Sequence, residues 1–229
     1  MRPSIRALWS FALLLLPGLV RADSYTPGFQ LQVDGLAYTP TGKLTAADGA
    51  KLSTLLSSGP GLAITGMIGV RPHWIFGVRV AYFGSDKDAS QRFTDVFNST
   101  GQPFTDGAGP FTLNRRLRAT PVHALLQYRR PFGGRWELSL EGGGGVVSAR
   151  ERLVLNSATG EKASAVGTQL DPSWTAGLGL AWLPGNNTDF VASARMIGTL
   201  SSDGAVWSKG DKPGYGSWTL GVRYPHDTR

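Results

Sequence analysis

Eight segments of the chain alternate apolar residues with polar or small ones, and this two-residue period constrains the fold more than any other feature. Successive side chains of a β-strand point to opposite faces, so such alternation predicts strands with one apolar face. Trp218, Leu220 and Val222, for example, share one face of a single segment. The predicted strands are residues 29–38, 62–71, 74–83, 113–130, 136–148, 173–183, 190–200 and 216–224.

The connections between these strands alternate between long and short. The long ones are 39–61, 84–112, 149–172 and 201–215, and the short ones are 72–73, 131–135 and 184–189. Outer-membrane barrels have short periplasmic turns and long extracellular loops, whereas a soluble β-sandwich has no reason to sort its loops by length. The sequence therefore predicts an all-β fold: an eight-stranded antiparallel up-and-down transmembrane β-barrel with short periplasmic turns and four long extracellular loops.

A sheet in lipid must close on itself, because every backbone N–H and C=O group needs a partner within the protein. At about eight strands, the interior of a closed barrel is just wide enough to be filled by side chains or to hold one small ligand. We therefore expect a filled lumen rather than an open pore.

Aromatic residues lie at the ends of the predicted strands, while the strand centres carry mostly aliphatic residues and glycine. Aromatic rings favour the membrane interface, and a soluble core would instead place them near mid-strand. The predicted girdle consists of Phe29, Trp74, Tyr82, Tyr128, Trp136, Trp174, Trp182, Phe190, Trp218 and Tyr224. Tyr38, Phe83 and Tyr215 are assigned to its belt at the long-loop end.

Residues 1–22 have the features of a secretory signal peptide. Arg2 and Arg6 flank its basic start, and the apolar stretch 7–20 is shorter than the ~20 residues that span a bilayer. Cleavage before Asp23 leaves residues 23–229 as the barrel domain and lowers the net charge from +7 to +4, because the leader holds three arginines and no acidic residue. We expect the bacterial outer membrane as the location and no nucleic-acid partner.

The predicted inner face carries charges of both signs. Charged groups enclosed in a narrow lumen are costly unless they are paired and hydrogen-bonded. We therefore predict a lumenal polar network, which is either a static polar core or a gate that re-pairs to pass ions or small solutes. Its members are Asp34, Arg79, His123, Gln127, Glu137, Glu141, Arg195 and Arg223.

No convincing catalytic constellation is present in the sequence. The chain has no cysteine, and its histidines are His73, His123 and His226, of which His73 and His226 fall at the predicted periplasmic end. A hydroxyl nucleophile needs a histidine within hydrogen-bond reach. We therefore expect no enzymatic activity, no cofactor and no metal. The glycine run 142–145 lacks the Lys-Ser/Thr of a phosphate-binding loop, which favours a bend or close backbone packing.

A basic cluster falls at the predicted outer rim. Arg115, Arg116 and Arg118 would face lipopolysaccharide phosphates there, and the planar guanidinium group matches phosphate in bidentate fashion. The alternative is an ordinary solvated strand end.

These features resemble the eight-stranded outer-membrane barrel superfamily, which contains the OmpA membrane domain, OmpX, OmpW and opacity-type surface antigens. The resemblance covers Phe29 to Tyr224 and includes the closing strand 217–224, which is similar to the C-terminal segment that the barrel-assembly machinery recognises. Members of the superfamily usually end on that aromatic residue, whereas five residues follow Tyr224 here.

The resemblance implies a structural or surface-interaction role in the envelope and a monomer in contact with outer-membrane lipids and lipopolysaccharide. It also implies that Glu141, with Arg79 or Arg195, forms the lumenal salt bridges. The alternatives are a narrow gated channel and a barrel enzyme that modifies lipid A or phospholipids.

Overall fold

The alternating segments fold as eight strands. The computed structural model describes residues 28–43, 57–91, 111–156, 162–185, 188–200 and 212–224. The strands are β1 (Phe29–Lys43), β2 (Gly59–Arg71), β3 (Trp74–Gln91), β4 (Phe111–Phe132), β5 (Trp136–Asn156), β6 (Lys162–Trp182), β7 (Asp189–Thr199) and β8 (Lys212–Tyr224). The predicted leader and His226 lie outside the described residues.

The strands form one closed antiparallel barrel. Each strand pairs with the next, and β8 pairs with β1. This last pairing runs from Leu31 opposite Tyr224 to Lys43 opposite Lys212, so the sheet has no free edge. The predicted all-β, eight-stranded up-and-down barrel is confirmed. No helix long and apolar enough to cross a membrane occurs among the described residues.

Several strands are longer than predicted at the long-loop end. The middle strands β3 to β6 contain 18 to 22 residues, about twice the ~9–11 that cross a bilayer. The prediction of a long connection at 149–172 is wrong, because β5 continues to Asn156 and β6 begins at Lys162. Alternation fails as a signal there because the outward residues beyond the apolar band, such as Arg150 and Thr168, are polar and exposed.

The outward face carries aliphatic side chains on every strand. One exposed example from each of β1 to β8 is Val33, Ile64, Val78, Leu126, Leu140, Leu178, Met196 and Leu220. Charged and amide side chains instead occupy the inward face, where most are almost completely buried. Polarity is therefore reversed with respect to a protein that folds in water.

Aromatic side chains separate into an outer and an inner set. The ten predicted girdle residues point outward, with Trp74 packed on Tyr128 at 5.2 Å between ring centroids and Trp182 stacked on Phe190 at 5.6 Å. The assignment of Tyr38, Phe83 and Tyr215 to the outer belt is wrong, because all three are buried inside the barrel. Each is an even number of positions from the inward residues of its strand, a relation that we call the same parity. Because side chains alternate between faces along a strand, parity decides which face a residue is on.

The glycine run allows two strands to approach closely. Gly143 and Gly145 on β5 point inward, and a Cβ atom at either would overlap a backbone carbonyl oxygen of β4, that of Ala124 or of Val122. Gly142 and Gly144 point outward, where a Cβ atom would meet nothing within 4 Å at Gly142 and the Ser173 carbonyl oxygen at 3.8 Å at Gly144. The run is thus a site of close backbone packing, one of the two roles expected from the sequence.

His73 has a conformational role in the turn between β2 and β3. It follows Pro72 in the two-residue connection and has a φ of 69°, in the left-handed region that histidine adopts more readily than most residues.

Candidate functional site

A central ion-pair cluster joins four alternate strands across the barrel. The Arg79 guanidinium on β3 donates to Asp34 on β1 at 2.6 Å, and Arg195 on β7 binds Glu141 on β5 through Nε and through Nη2, the latter at 3.1 Å. Arg195 also lies 3.9 Å from Asp34, which links the two pairs. These four side chains are at most 6% exposed.

Hydroxyl and amide groups complete the coordination of the central cluster. Arg79 donates to Thr65 at 3.2 Å, Arg195 donates to Thr219 at 3.3 Å, and Gln32 donates to the second carboxylate oxygen of Asp34 at 2.8 Å. Gln127 donates to Glu141 at 3.4 Å. Buried charges are stabilised only when such additional hydrogen bonds satisfy their remaining donors and lone pairs, as they are here.

A second cluster lies nearer the short turns. Arg223 on β8 donates to Asp189 at 2.7 and 2.9 Å and to Glu137 at 2.8 Å. Arg129 on β4 donates to Gln30 at 2.6 Å and lies 3.8 Å from Glu137. Asp189 was not among the predicted residues because it precedes the predicted strand 190–200 by one position, although its parity with Arg195 indicates an inward side chain.

The predicted network is thus distributed over two clusters and one separate pair, and Gln127 links the clusters by accepting a hydrogen bond from Arg129 Nε at 2.5 Å. All eight predicted side chains are inside the barrel and no more than 9% exposed. Seven of them join the two clusters, whereas His123 is separate. Its Nε2 lies 2.9 Å from the Ser173 Oγ on β6.

An aromatic layer covers the clusters on the long-loop side. The ring of Phe83 lies 4.4 Å from that of Tyr38 and 5.0 Å from that of Tyr215, measured between centroids. Leu36, Leu117 and other buried aliphatic residues complete the layer. Side chains therefore occupy the lumen at three successive levels, namely two ionic levels and one apolar level.

The spaces between these levels are small. One interior cavity, between the aromatic layer and His123, Arg79 and Arg195, has a volume of about 10 Å³. A second, beside Glu141 and Met67, also measures about 10 Å³. Each volume is comparable to that needed for about one water molecule. A larger ligand does not fit in either cavity without displacing side chains.

The His123–Ser173 pair is the one histidine–hydroxyl contact found among the described residues. Sequence reasoning missed it because the partners are 50 positions apart on different strands. Both side chains are about 2% exposed, and the cavity beside His123 is the small one below the aromatic layer. No group of three or more potential metal ligands occurs in the described part of the chain.

The predicted basic cluster lies on the outward face of β4, beyond the apolar band. Arg116 and Arg118 are exposed and lie 3.9 and 3.2 Å from Asp86 on β3. The side chain of Arg115 is outside the described part of the structure. Two further exposed arginines, Arg150 and Arg152 on β5, lie directly opposite Arg118 and Arg116 in the strand register. They were missed because the predicted strand ends at residue 148.

Solved structures of outer-membrane proteins share this architecture. Neisserial surface protein A from Neisseria superposes with a TM-score of 0.51 and 12% sequence identity, over 88% of this chain and 100% of that chain. A major outer membrane protein from Thermus thermophilus gives a TM-score of 0.50 and 13% identity, over 87% and 100%. No family model and no curated protein matches the sequence significantly. At these identities the similarity establishes the barrel fold alone.

Proposed function

We propose that the chain is an integral β-barrel of the bacterial outer membrane, with a structural or surface-interaction role and a lumen closed by its own ion pairs. The observation that carries the proposal is the continuous band of exposed aliphatic side chains around a closed sheet, combined with charged side chains inside. Soluble monomers rarely expose contiguous apolar patches above a few hundred Å². Lipid is the environment in which this band is favourable.

The height of the band supports a membrane location. On β3 the girdle residues Trp74 and Tyr82 are eight positions apart, which corresponds to roughly 27 Å along a strand. At a strand tilt near 40°, this is about 21 Å along the barrel axis, close to the ~25 Å apolar band of outer-membrane barrels. The same two levels are marked on the other side of the barrel. Trp136 and Trp182, which are opposite each other on β5 and β6, mark the level near the short turns, and Trp174 and Trp218 mark the level near the long loops.

The interior of the barrel, which is filled around His123 and Ser173, supports a structural role without catalysis. The His123–Ser173 pair is enclosed, and the adjoining cavity of about 10 Å³ has no space for an acyl or glycosyl substrate. We interpret the pair as a buried hydrogen bond that satisfies two polar side chains in the lumen.

The proposed partners are those of a single barrel in a membrane. Outer-membrane lipids would contact the aliphatic band, and the barrel-assembly machinery would recognise β8, which ends in the outward residues Trp218, Leu220, Val222 and Tyr224. A monomer suffices, because the sheet closes within one chain.

Planar-bilayer recording distinguishes this role from the gated-channel alternative. We expect no single-channel steps from the wild-type barrel, because a conducting path would require separating Arg79 from Asp34 and Arg195 from Glu141 inside a filled lumen. The Glu141→Gln variant, whose folding is verified by its electrophoretic mobility, should also be silent. An open porin in the same lipid serves as the positive control. Wild-type steps whose conductance changes in Glu141→Gln would establish the channel instead.

A further inference from the structure

Four arginines form a patch on the outward face where β4 and β5 extend beyond the aliphatic band: Arg116, Arg118, Arg150 and Arg152. The register sets Arg116 opposite Arg152 and Arg118 opposite Arg150, and all four are exposed. We propose that this arginine patch binds the phosphate groups of a phosphorylated lipid headgroup in the outer leaflet. The proposal rests on the membrane location proposed above.

Arginines face arginines across the two strands of this patch. Directly opposite residues on antiparallel strands have Cβ atoms about 4.5–5.5 Å apart, and like charges at such positions destabilise a sheet. Here two such pairs occur two residues apart on the same face. An anion bound between the two pairs would offset this repulsion and stabilise the sheet.

Among the described side chains, this face carries little negative charge. Asp86 is the one carboxylate within ion-pair distance of these arginines among the described residues, and it contacts Arg118 at 3.2 Å and Arg116 at 3.9 Å. Glu151 lies between Arg150 and Arg152 in the sequence but is buried on the inward face. Arg150 and Arg152 therefore have no acidic side chain as a partner in the described part of the barrel.

The position of the patch identifies the source of the anion. Arg118 and Arg150 lie four residues beyond Val122 and Val146, exposed aliphatic residues on their strands, in the direction of the predicted extracellular loops. On the adjacent strand β6, Thr168 pairs with Arg150 and is flanked by Val166 and Leu170, which are 56% and 65% exposed. Guanidinium groups beside exposed aliphatic side chains match the boundary between phosphates and acyl chains.

The chemistry of the ligand follows from the arrangement. A guanidinium group binds phosphate through two parallel N–H donors, which a lysine ammonium cannot reproduce. The two rows of arginines are two residues apart along the strand, or roughly 7 Å. Two rows at this spacing fit a headgroup that carries more than one phosphate better than a headgroup with a single phosphate.

Binding measurements on the full-length folded barrel test the proposal. The probes are bisphosphorylated lipid A, the same lipid after enzymatic removal of its phosphates, and inorganic pyrophosphate. The variants are Arg150→Gln/Arg152→Gln and Arg116→Gln/Arg118→Gln. The matched control is Arg130→Gln, which changes an exposed outward arginine at the opposite end of β4.

Each double variant should bind the bisphosphorylated lipid at least about tenfold more weakly than wild type, since each removes charge-assisted hydrogen bonds. Arg130→Gln should bind it as wild type does, and the dephosphorylated lipid should bind weakly to every form. Equal binding of the two lipids, or equal binding by wild type and both double variants, would overturn the proposal. Pyrophosphate binding as tight as that of the lipid would overturn the assignment to a lipid headgroup. Electrophoretic mobility of each sample before and after boiling reports separately on the barrel, so the patch can fail while the membrane assignment stands.

Discussion

Replacing Glu141 with leucine is expected to lower the free energy of unfolding by about 3–5 kcal/mol, the cost of leaving one partner of a buried ion pair uncompensated. The variant removes the carboxylate that Arg195 binds through two nitrogens and leaves the guanidinium inside the barrel. Asp34 does not replace it, because it lies 3.9 Å from Arg195 and is already bound to Arg79 at 2.6 Å.

The double variant Glu141→Leu/Arg195→Met provides the decisive comparison. Removing both charges takes away the attraction together with the desolvation penalty, so the double variant should be close to wild type or more stable. Equilibrium unfolding in urea, followed by tryptophan fluorescence of barrels refolded in lipid vesicles, measures all three proteins. Arg130→Gln, an exposed position near a turn, should stay within about 0.5 kcal/mol of wild type. A single variant as stable as wild type, or a double variant less stable than the single, would contradict the ion-pair account.

The second large effect is expected at one of two adjacent glycines, Gly145, and not at the other, Gly144. Gly145→Ala should lower the free energy of unfolding by about 3 kcal/mol or more, because the new methyl group would overlap the Val122 carbonyl oxygen and lie 2.8 Å from the His123 Cα. These are backbone atoms of β4, so relief requires β4 and β5 to separate.

Gly144→Ala is the matched control, one residue away. Its methyl group would point toward lipid, with the Ser173 carbonyl oxygen at 3.8 Å as its nearest contact. We expect it to be neutral or stabilising by about 0.5 kcal/mol, because alanine loses less backbone entropy than glycine in a strand. Urea unfolding of the two variants under identical conditions gives the comparison. Equal effects at Gly144 and Gly145 would contradict the assignment of the run to close strand packing.

The sequence predicts the strands accurately within the aliphatic band and poorly beyond it. Alternation marks a strand only while one face is apolar, and this holds near Val78 and Leu140, which are exposed on the band that we propose to face lipid. Beyond the band the outward residues are polar, as at Arg150, while the inward residues are mixed, as Ala149 and Glu151 show, so the period is lost. For this reason the patch residues Arg150 and Arg152 fall in a predicted loop, although they lie on β5.

Parity predicts the face of a side chain but not its partner. It places Glu141 and Arg195 inside, whereas their contact joins residues 54 positions apart and depends on the relative heights of β5 and β7. The same holds for His123 and Ser173. Tyr38 shows the converse case, since its aromatic character favoured the girdle while its parity correctly indicates the interior.

We propose that the chain spans the outer membrane as a closed barrel filled by its own side chains. Electrophoresis of the protein recovered from the outer-membrane fraction, with and without boiling, measures whether such a barrel is present. A closed barrel with a paired sheet resists detergent at low temperature, so the unboiled sample should migrate faster than the boiled one. Recovery from the soluble periplasmic fraction, with identical migration of the two samples, would contradict the claim.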